Sequence, residues 1–248
     1  MAQLLVGTIF CLFLSFGLAI PSAQADEGEV DVLLVLAADV SRSVDEREFR
    51  LQREGFAAAL TDPRVLNVVT SGATGRIAVA FVEWASEFEQ RVVVDWFLVA
   101  GETDAKALAE RIVAAPRSFW GRTSISAAVE FSAKLLDRSP FQSTRKVIDV
   151  SGDGTNNSGA ELTAVRDEAI AKGITINGLV IVSEEPMATN PTHTHPPGGL
   201  KAYYEQHVIG GPDAFVEEAK GFESFGQSII QKLIKEIAAL AAAGPKRS

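Results

Sequence analysis

The feature that most limits what this chain can become is a series of apolar runs too continuous for a half-exposed sheet. "VDVLLVLA" (residues 30–37), "RIAVAFVEWA" (76–85), "RKVIDVS" (145–151) and "ITINGLVIV" (174–182) read as central or near-central strands, and three of them are almost unbroken. Helical patterns separate them over residues 45–60, 104–114, 124–136 and 161–171, the last closed by Gly173 as a C-cap signal. Strands alternating with helices predict a parallel sheet with helices on both faces. "RVVVDWFLV" (91–99) departs from that rule. Only "SEFEQ" separates it from the run before it, too short for a crossover, so it is expected to be antiparallel at or near an edge. "AFVEEA" offers a last strand, followed by an amphipathic helix expected over residues 223–243.

The same reading bounds the class of protein. The first 25 residues carry no charged side chain, are apolar from residue 4 to residue 20, and end in "SAQA", where Ala23 and Ala25 form an A-x-A cleavage pattern. Residues 1–25 therefore read as a secretory signal peptide. The missing positive n-region keeps an uncleaved anchor as the alternative. The single cysteine, Cys11, falls inside this segment, so a mature domain over residues 26–248 has no thiol. That excludes thiol catalysis, disulfides and Cys-ligated zinc there. With 47% apolar and 22% charged residues, and no repeat or linker, one domain with a substantial core is expected, its core over about residues 30–240. Against 32 acidic residues stand 23 Lys and Arg, a net charge of −9 that gives no general attraction for nucleic acid or anionic lipid.

Polar residues with chemical potential gather where the apolar runs end. After the first run the chain reads D-x-S-x-S, as Asp39, Ser41 and Ser43; "GRTS" places Thr123 at the opening of a helix; "VSGDGTNN" places Asp153 and Gly154 just past a third strand. Loops after parallel strands emerge on one edge, and ligands bind there where the strand order reverses. Each piece has a simpler explanation alone: Ser43 with Glu46 makes an S-x-x-E capping box, Thr123 is an N-cap, and "GDG" is a turn. Together they form an oxygen-only set suited to a hard divalent cation.

Those three elements, in that order, resemble the von Willebrand factor A-type (VWA) domain with a metal-ion-dependent adhesion site, over residues 30–240. The resemblance implies an α/β, three-layer Rossmann-like fold, with a mostly parallel central sheet, one antiparallel strand and helices on both faces. It implies Mg²⁺, with Mn²⁺ or Ca²⁺ as alternatives, held by Asp39, Ser41, Ser43, Thr123 and Asp153. It also implies a protein partner offering Asp or Glu to the metal, and no catalysis. "IDVSGDGTNN" and "YYEQHVIGGPDAFVEEA" are similar to an uncharacterised secreted bacterial subgroup of these domains, which places the chain in a periplasm, off the membrane once the signal peptide is cleaved. Arg42 stands where a small residue is commoner and Val44 where Met is frequent; a cation at Arg42 would help attract an acidic ligand. Mixing hydroxyls with two carboxylates balances a divalent charge without quenching the ion's affinity for one more anionic oxygen.

The competing class is a Mg²⁺-dependent, haloacid-dehalogenase-like phosphohydrolase, which "SGDGTNN" after an apolar strand also resembles. Such enzymes need a second carboxylate two residues after the first, and that position is Ser41. No G-x-S-x-G, P-loop or H-E-x-x-H pattern supports another hydrolase. Residues 183–199, "SEEPMATNPTHTHPPGG", are expected to form a long loop beside the site that shapes partner choice, with His193 and His195 exposed to solvent rather than on a metal. His207 is expected in a helix. Asn156 and Asn157 either support the ligands from behind or form a turn, and Asp149, inside a buried strand, requires a partner the sequence does not name.

Overall fold

The computed structural model describes residues 28–238, and the apolar runs become neighbouring strands of one six-stranded sheet. These are β1 (Leu33–Asp39), β2 (Ile77–Trp84), β3 (Gln90–Val99), β4 (Lys146–Gly152), β5 (Ile174–Val182) and β6 (Val216–Lys220). Their order is β3-β2-β1-β4-β5-β6, parallel except for β3, which pairs antiparallel with β2 at the edge. The expected signal segment over residues 1–25, and the stretch from 239 to 243 of the expected last helix, lie outside the described residues. Among the described residues no helix is long and apolar enough to cross a membrane.

Helices cover both faces. In chain order they are α1 (Glu46–Thr61), α2 (Pro63–Thr70), α3 (Glu102–Ala114), α4 (Ile125–Asp137), α5 (Leu162–Ala171), the single turn α6 (Pro191–Thr194), α7 (Leu200–His207) and α8 (Phe225–Ala238). Alternation along β1 explains why its run had to be continuous: Leu34, Leu36 and Ala38 pack with α1, α2, α3 and α8, whereas Leu33, Val35 and Ala37 pack with α4, α5 and α7. Every residue of β1 is buried. The α1–α8 contact is close enough to need a glycine. A Cβ at Gly55 would lie 2.5 Å from the ring of Phe225, which itself packs edge-on against Phe56. The sequence reading does not announce α2, whose signal is Asp62-Pro63, a side-chain cap followed by Pro at the first helical position.

The partner of Asp149 is Lys232 of α8, with Nζ 2.7 Å from Oδ1 and both side chains fully buried. The same ammonium bonds Glu236, which also accepts from Asn177 Nδ2 on β5 at 2.7 Å. One buried lysine is thus shared between two buried carboxylates. This network ties the centre of the sheet to the last helix, across about 80 residues of sequence separation that no local pattern spans.

Candidate metal centre

The strand order reverses between β1 and β4, and the candidate ligands stand in the crevice at their carboxyl ends. Asp39 closes β1, and Asp153 follows Gly152, the last residue of β4. Because α4 runs back against the strands, its N-terminus brings Thr123 to the same edge. The donors form a chain of short steps. Ser43 Oγ donates to Asp153 Oδ1 at 2.7 Å, Ser43 and Ser41 hydroxyls stand 3.1 Å apart, and Thr123 Oγ1 reaches Ser41 Oγ at 3.2 Å. Asp39 Oδ1 accepts from the Ser41 backbone N–H at 2.7 Å, while its Oδ2 is buried with no hydrogen-bond partner.

The capping explanations weighed for these residues fail, which leaves their hydroxyls available. The N-cap of α1 is Asp45, in a reciprocal box with Glu48, and not Ser43 with Glu46. The N-cap of α4 is Ser124, not Thr123. In both cases a residue one or two positions later in the chain already satisfies the helix terminus.

These residues fit a divalent ion. Neighbouring donors on an octahedron with Mg²⁺ bonds of about 2.0–2.1 Å stand about 3 Å apart, the spacing of the Ser41, Ser43 and Thr123 hydroxyls. The electrostatics agree. Burial, and then the Asp153 carboxylate, raises the Asp39 pKa well above the ordinary range; burial raises Asp153 to about 6, against the opposing hydrogen bond from Ser43. Two buried carboxylates facing each other are costly to ionise without a cation between them. Among the described residues, no three His, Cys, Asp or Glu side chains form a metal cluster by themselves. The set depends on its hydroxyls.

A pH dependence follows. An acid whose folded pKa exceeds its unfolded value holds its proton longer in the folded state, so metal-free stability is highest below the unfolded pKa and falls as pH rises toward the folded one. For Asp153 that window runs from 3.8 to about 6. Metal requires the ionised carboxylates, so the rise in Tm produced by Mg²⁺ over EDTA should be large at about pH 8 and nearly absent at about pH 5. Asp149, raised to about 7 by burial and by Glu236, lowers metal-free stability over an overlapping window but cancels in this difference. Thermal melts with and without chelator check it; an equal Mg²⁺ shift at both pH values contradicts it.

Several supporting residues were not legible beforehand. Arg117, its side chain almost buried, donates through Nη2 to the carbonyls of Val40 and Ser41, both at 2.8 Å, and so clamps the D-x-S-x-S loop. Glu83 on β2 is ion-paired with Arg53 of α1 and accepts from the Ser118 N–H at 2.9 Å, anchoring the segment that carries Thr123. A charged residue inside "FVEWA" was the available signal. Of the two alternatives the sequence offers for Asn156 and Asn157, they take the supporting one: Asn157 Oδ1 accepts from the Thr123 N–H and Asn156 Oδ1 from the Ser126 N–H, both at 3.1 Å, while the next helix is capped by Glu161. Below the site, Tyr204 Oη is buried without a partner. A Cβ at Gly152 would meet that oxygen at 2.8 Å and Asp39 Oδ2 at 3.1 Å, so only glycine lets the two side chains approach.

The long loop does rise on this edge, but its histidines differ from expectation. His193 is 3% exposed, not solvent-facing, and its Nε2 lies 3.2 Å from Thr123 Oγ1. Burial, and then Arg42, lowers its pKa. His195 is half-buried and pairs with Thr194 Oγ1 through Nδ1 at 3.0 Å, away from the ligands. The segment also contains α6, a helical turn the Pro-rich composition argued against; Pro191 is tolerated because it stands at the start. Above Ser43 and Thr123 a cavity of about 220 Å³ is bordered by Arg42, Arg122, Asn190 and His193.

The mostly parallel α/β sheet with one antiparallel edge strand and helices on both faces is the Rossmann-like fold of VWA domains. Solved structures agree on the fold. A pilus adhesin, SpaC, from Lactobacillus rhamnosus GG superposes with a TM-score of 0.61 at 14% identity, covering 85% of this chain and 30% of that one. Proximal thread matrix protein 1 from the mussel byssus, described with a zinc-occupied adhesion motif, gives 0.58 at 14% identity, over 86% and 50%. A von Willebrand factor type A protein from Catenulispora acidiphila gives 0.53 at 16%, over 84% and 43%. The chain thus spans half or less of each of those proteins. It belongs to the family described as "Protein of unknown function (DUF1194)", which matches residues 29–241. Comparison with curated proteins gives no match.

Proposed function

We propose that this chain is a binding module of the bacterial envelope, exported by the segment at residues 1–25, which holds a divalent cation and through it an acidic group of a partner protein. The observation that carries this reading is the gathering of five polar side chains at the switch point: the oxygens of Ser41, Ser43, Thr123 and Asp153 follow one another at 2.7–3.2 Å, and buried Asp39 is held to the same loop by the Ser41 N–H. A bound Mg²⁺, Mn²⁺ or Ca²⁺ would supply a Lewis-acidic point of attachment for a carboxylate oxygen. The chain's own part is to hold the ligands without satisfying the ion: Arg117 fixes the first loop, Asn157 the second, and Arg42 and Arg122 place positive charge at the mouth where an acidic side chain would enter. The adhesin and matrix-protein neighbours support a binding role.

The test is capture of partners from the source envelope with Mg²⁺ and with EDTA. Partners are expected to be lost with EDTA and equally lost when Asp39 is changed to Ala; retention in both sinks the reading. The phosphohydrolase alternative predicts turnover of generic phosphate esters in Mg²⁺. None is expected, because Ser41 occupies the position of the acid/base carboxylate. A robust rate that disappears in Asp39→Asn would transfer the assignment to the enzyme.

A further inference from the structure

We propose that His193 is a nitrogen donor to the same metal centre, turning an oxygen-only site into one that favours borderline ions such as Zn²⁺ and Mn²⁺ over Mg²⁺. The proposal rests on the metal reading above and adds to it a ligand supplied by the long loop. The ring is seated rather than draped over the site. A Cβ at Gly154 would lie 2.3 Å from both Cε1 and Nε2 of His193, so the glycine after Asp153 is needed to admit the imidazole. The backbone staples it there: Thr155 N donates to the His193 carbonyl at 2.9 Å, and the His193 N–H donates to Asn190 O at 3.0 Å.

Position and orientation both suit ligation. Nε2 stands 3.2 Å from Thr123 Oγ1, the separation that Thr123 itself keeps from Ser41. The imidazole therefore continues the row of donors at the spacing of adjacent ligands. On the far side of the ring Nδ1 faces Thr155 Oγ1 at 3.2 Å, with Asn157 Nδ2 farther off at 3.4 Å. Ligation uses the tautomer in which Nδ1–H donates to the Thr155 hydroxyl rather than accepting from the Asn157 amide, which turns the Nε2 lone pair toward the site; metal-binding histidines are commonly oriented by such a second hydrogen bond. The consequence is one of selectivity. Carboxylate, hydroxyl and water suit Mg²⁺ and Ca²⁺, whereas imidazole nitrogen suits Zn²⁺ and other transition ions.

The experiment loads the purified chain with Mn²⁺, whose pulsed electron paramagnetic resonance detects directly bound nitrogen, and measures Mg²⁺ and Zn²⁺ affinities by displacement of that Mn²⁺. The parent should show nitrogen coupling. In His193→Gln the coupling should vanish and Zn²⁺ affinity fall at least about tenfold, with Mg²⁺ affinity changed no more than about twofold. If the parent shows no nitrogen coupling, the imidazole is not a ligand; that measurement needs no variant and stands even where Gln fails to pack. An unchanged Zn²⁺-to-Mg²⁺ ratio in His193→Gln overturns the proposal equally. Asp39→Ala separates the two layers. Loss of Mn²⁺ there with no nitrogen coupling in the parent removes only His193, whereas retained Mn²⁺ removes the metal reading itself.

Discussion

Asp39→Ala and Asp153→Ala should each abolish divalent-ion binding while leaving the fold intact, and neither should lower the metal-free Tm as most changes at fully buried positions do. The reason lies in the price of two facing carboxylates. Burial pushes both pKa values up, and each carboxylate raises the energy of the site when ionised. Removing one relieves that cost. Against it stands the Ser41 backbone N–H, which loses its acceptor in Asp39→Ala at about 1 kcal/mol; Asp39→Asn keeps that acceptor and isolates the charge effect. With Mg²⁺ at roughly a hundredfold excess over Kd, the parent gains about 2.7 kcal/mol from linkage, and the variants gain nothing. Calorimetric titration measures the binding and circular dichroism the fold. If both alanine variants bind Mg²⁺ or Mn²⁺ as the parent does, the site is not at these residues.

Lys232→Met should be the most damaging single change away from the metal edge. It leaves Asp149 and Glu236 buried with no cation between them, and breaking one member of a buried ionic network costs about 3–5 kcal/mol. The loss should be greatest at neutral pH and above and shrink as pH falls, because Asp149 then takes up a proton and no longer needs the ammonium. In the parent that uptake has its midpoint at about 7. Urea unfolding at several pH values measures it. Adding Asp149→Asn and Glu236→Gln to Lys232→Met should restore most of the stability at neutral pH; a triple variant no more stable than the single one would mean that the lysine acts through packing alone.

The sheet and the placement of the candidate ligands at strand ends could be read from the chain because each is written in local order. A run buried on both faces must be apolar at every position, as β1 is, and a connection of five residues between 85 and 91 admits only a hairpin, so β3 had to be antiparallel. Asp39, Ser41 and Ser43 alternate at the end of a strand, and in the structure the two serine hydroxyls stand 3.1 Å apart on one loop while Asp39 Oδ1 accepts from the Ser41 N–H. The capping of α1 is ambiguous in the sequence because Ser43-x-x-Glu46 and Asp45-x-x-Glu48 are both legitimate boxes within residues 43–48, and only the path of the loop, drawn toward Asp153, decides between them.

What the sequence by itself determined is therefore whatever depends on neighbours along the chain: the strands, the hairpin, the order of the helices, and the carboxylates and hydroxyls placed at the strand ends. Only the tertiary structure decided which distant groups meet. Arg117 reaches the carbonyls of Val40 and Ser41, Lys232 reaches Asp149, and His193, in a segment whose composition reads as exposed loop, is pressed onto Gly154 beside Thr123. None of these pairings has a sequence period. Each exists because a buried polar group must find a partner wherever the packed layers put one, and that position is set by the closure of the whole sheet and its helices rather than by any segment of it.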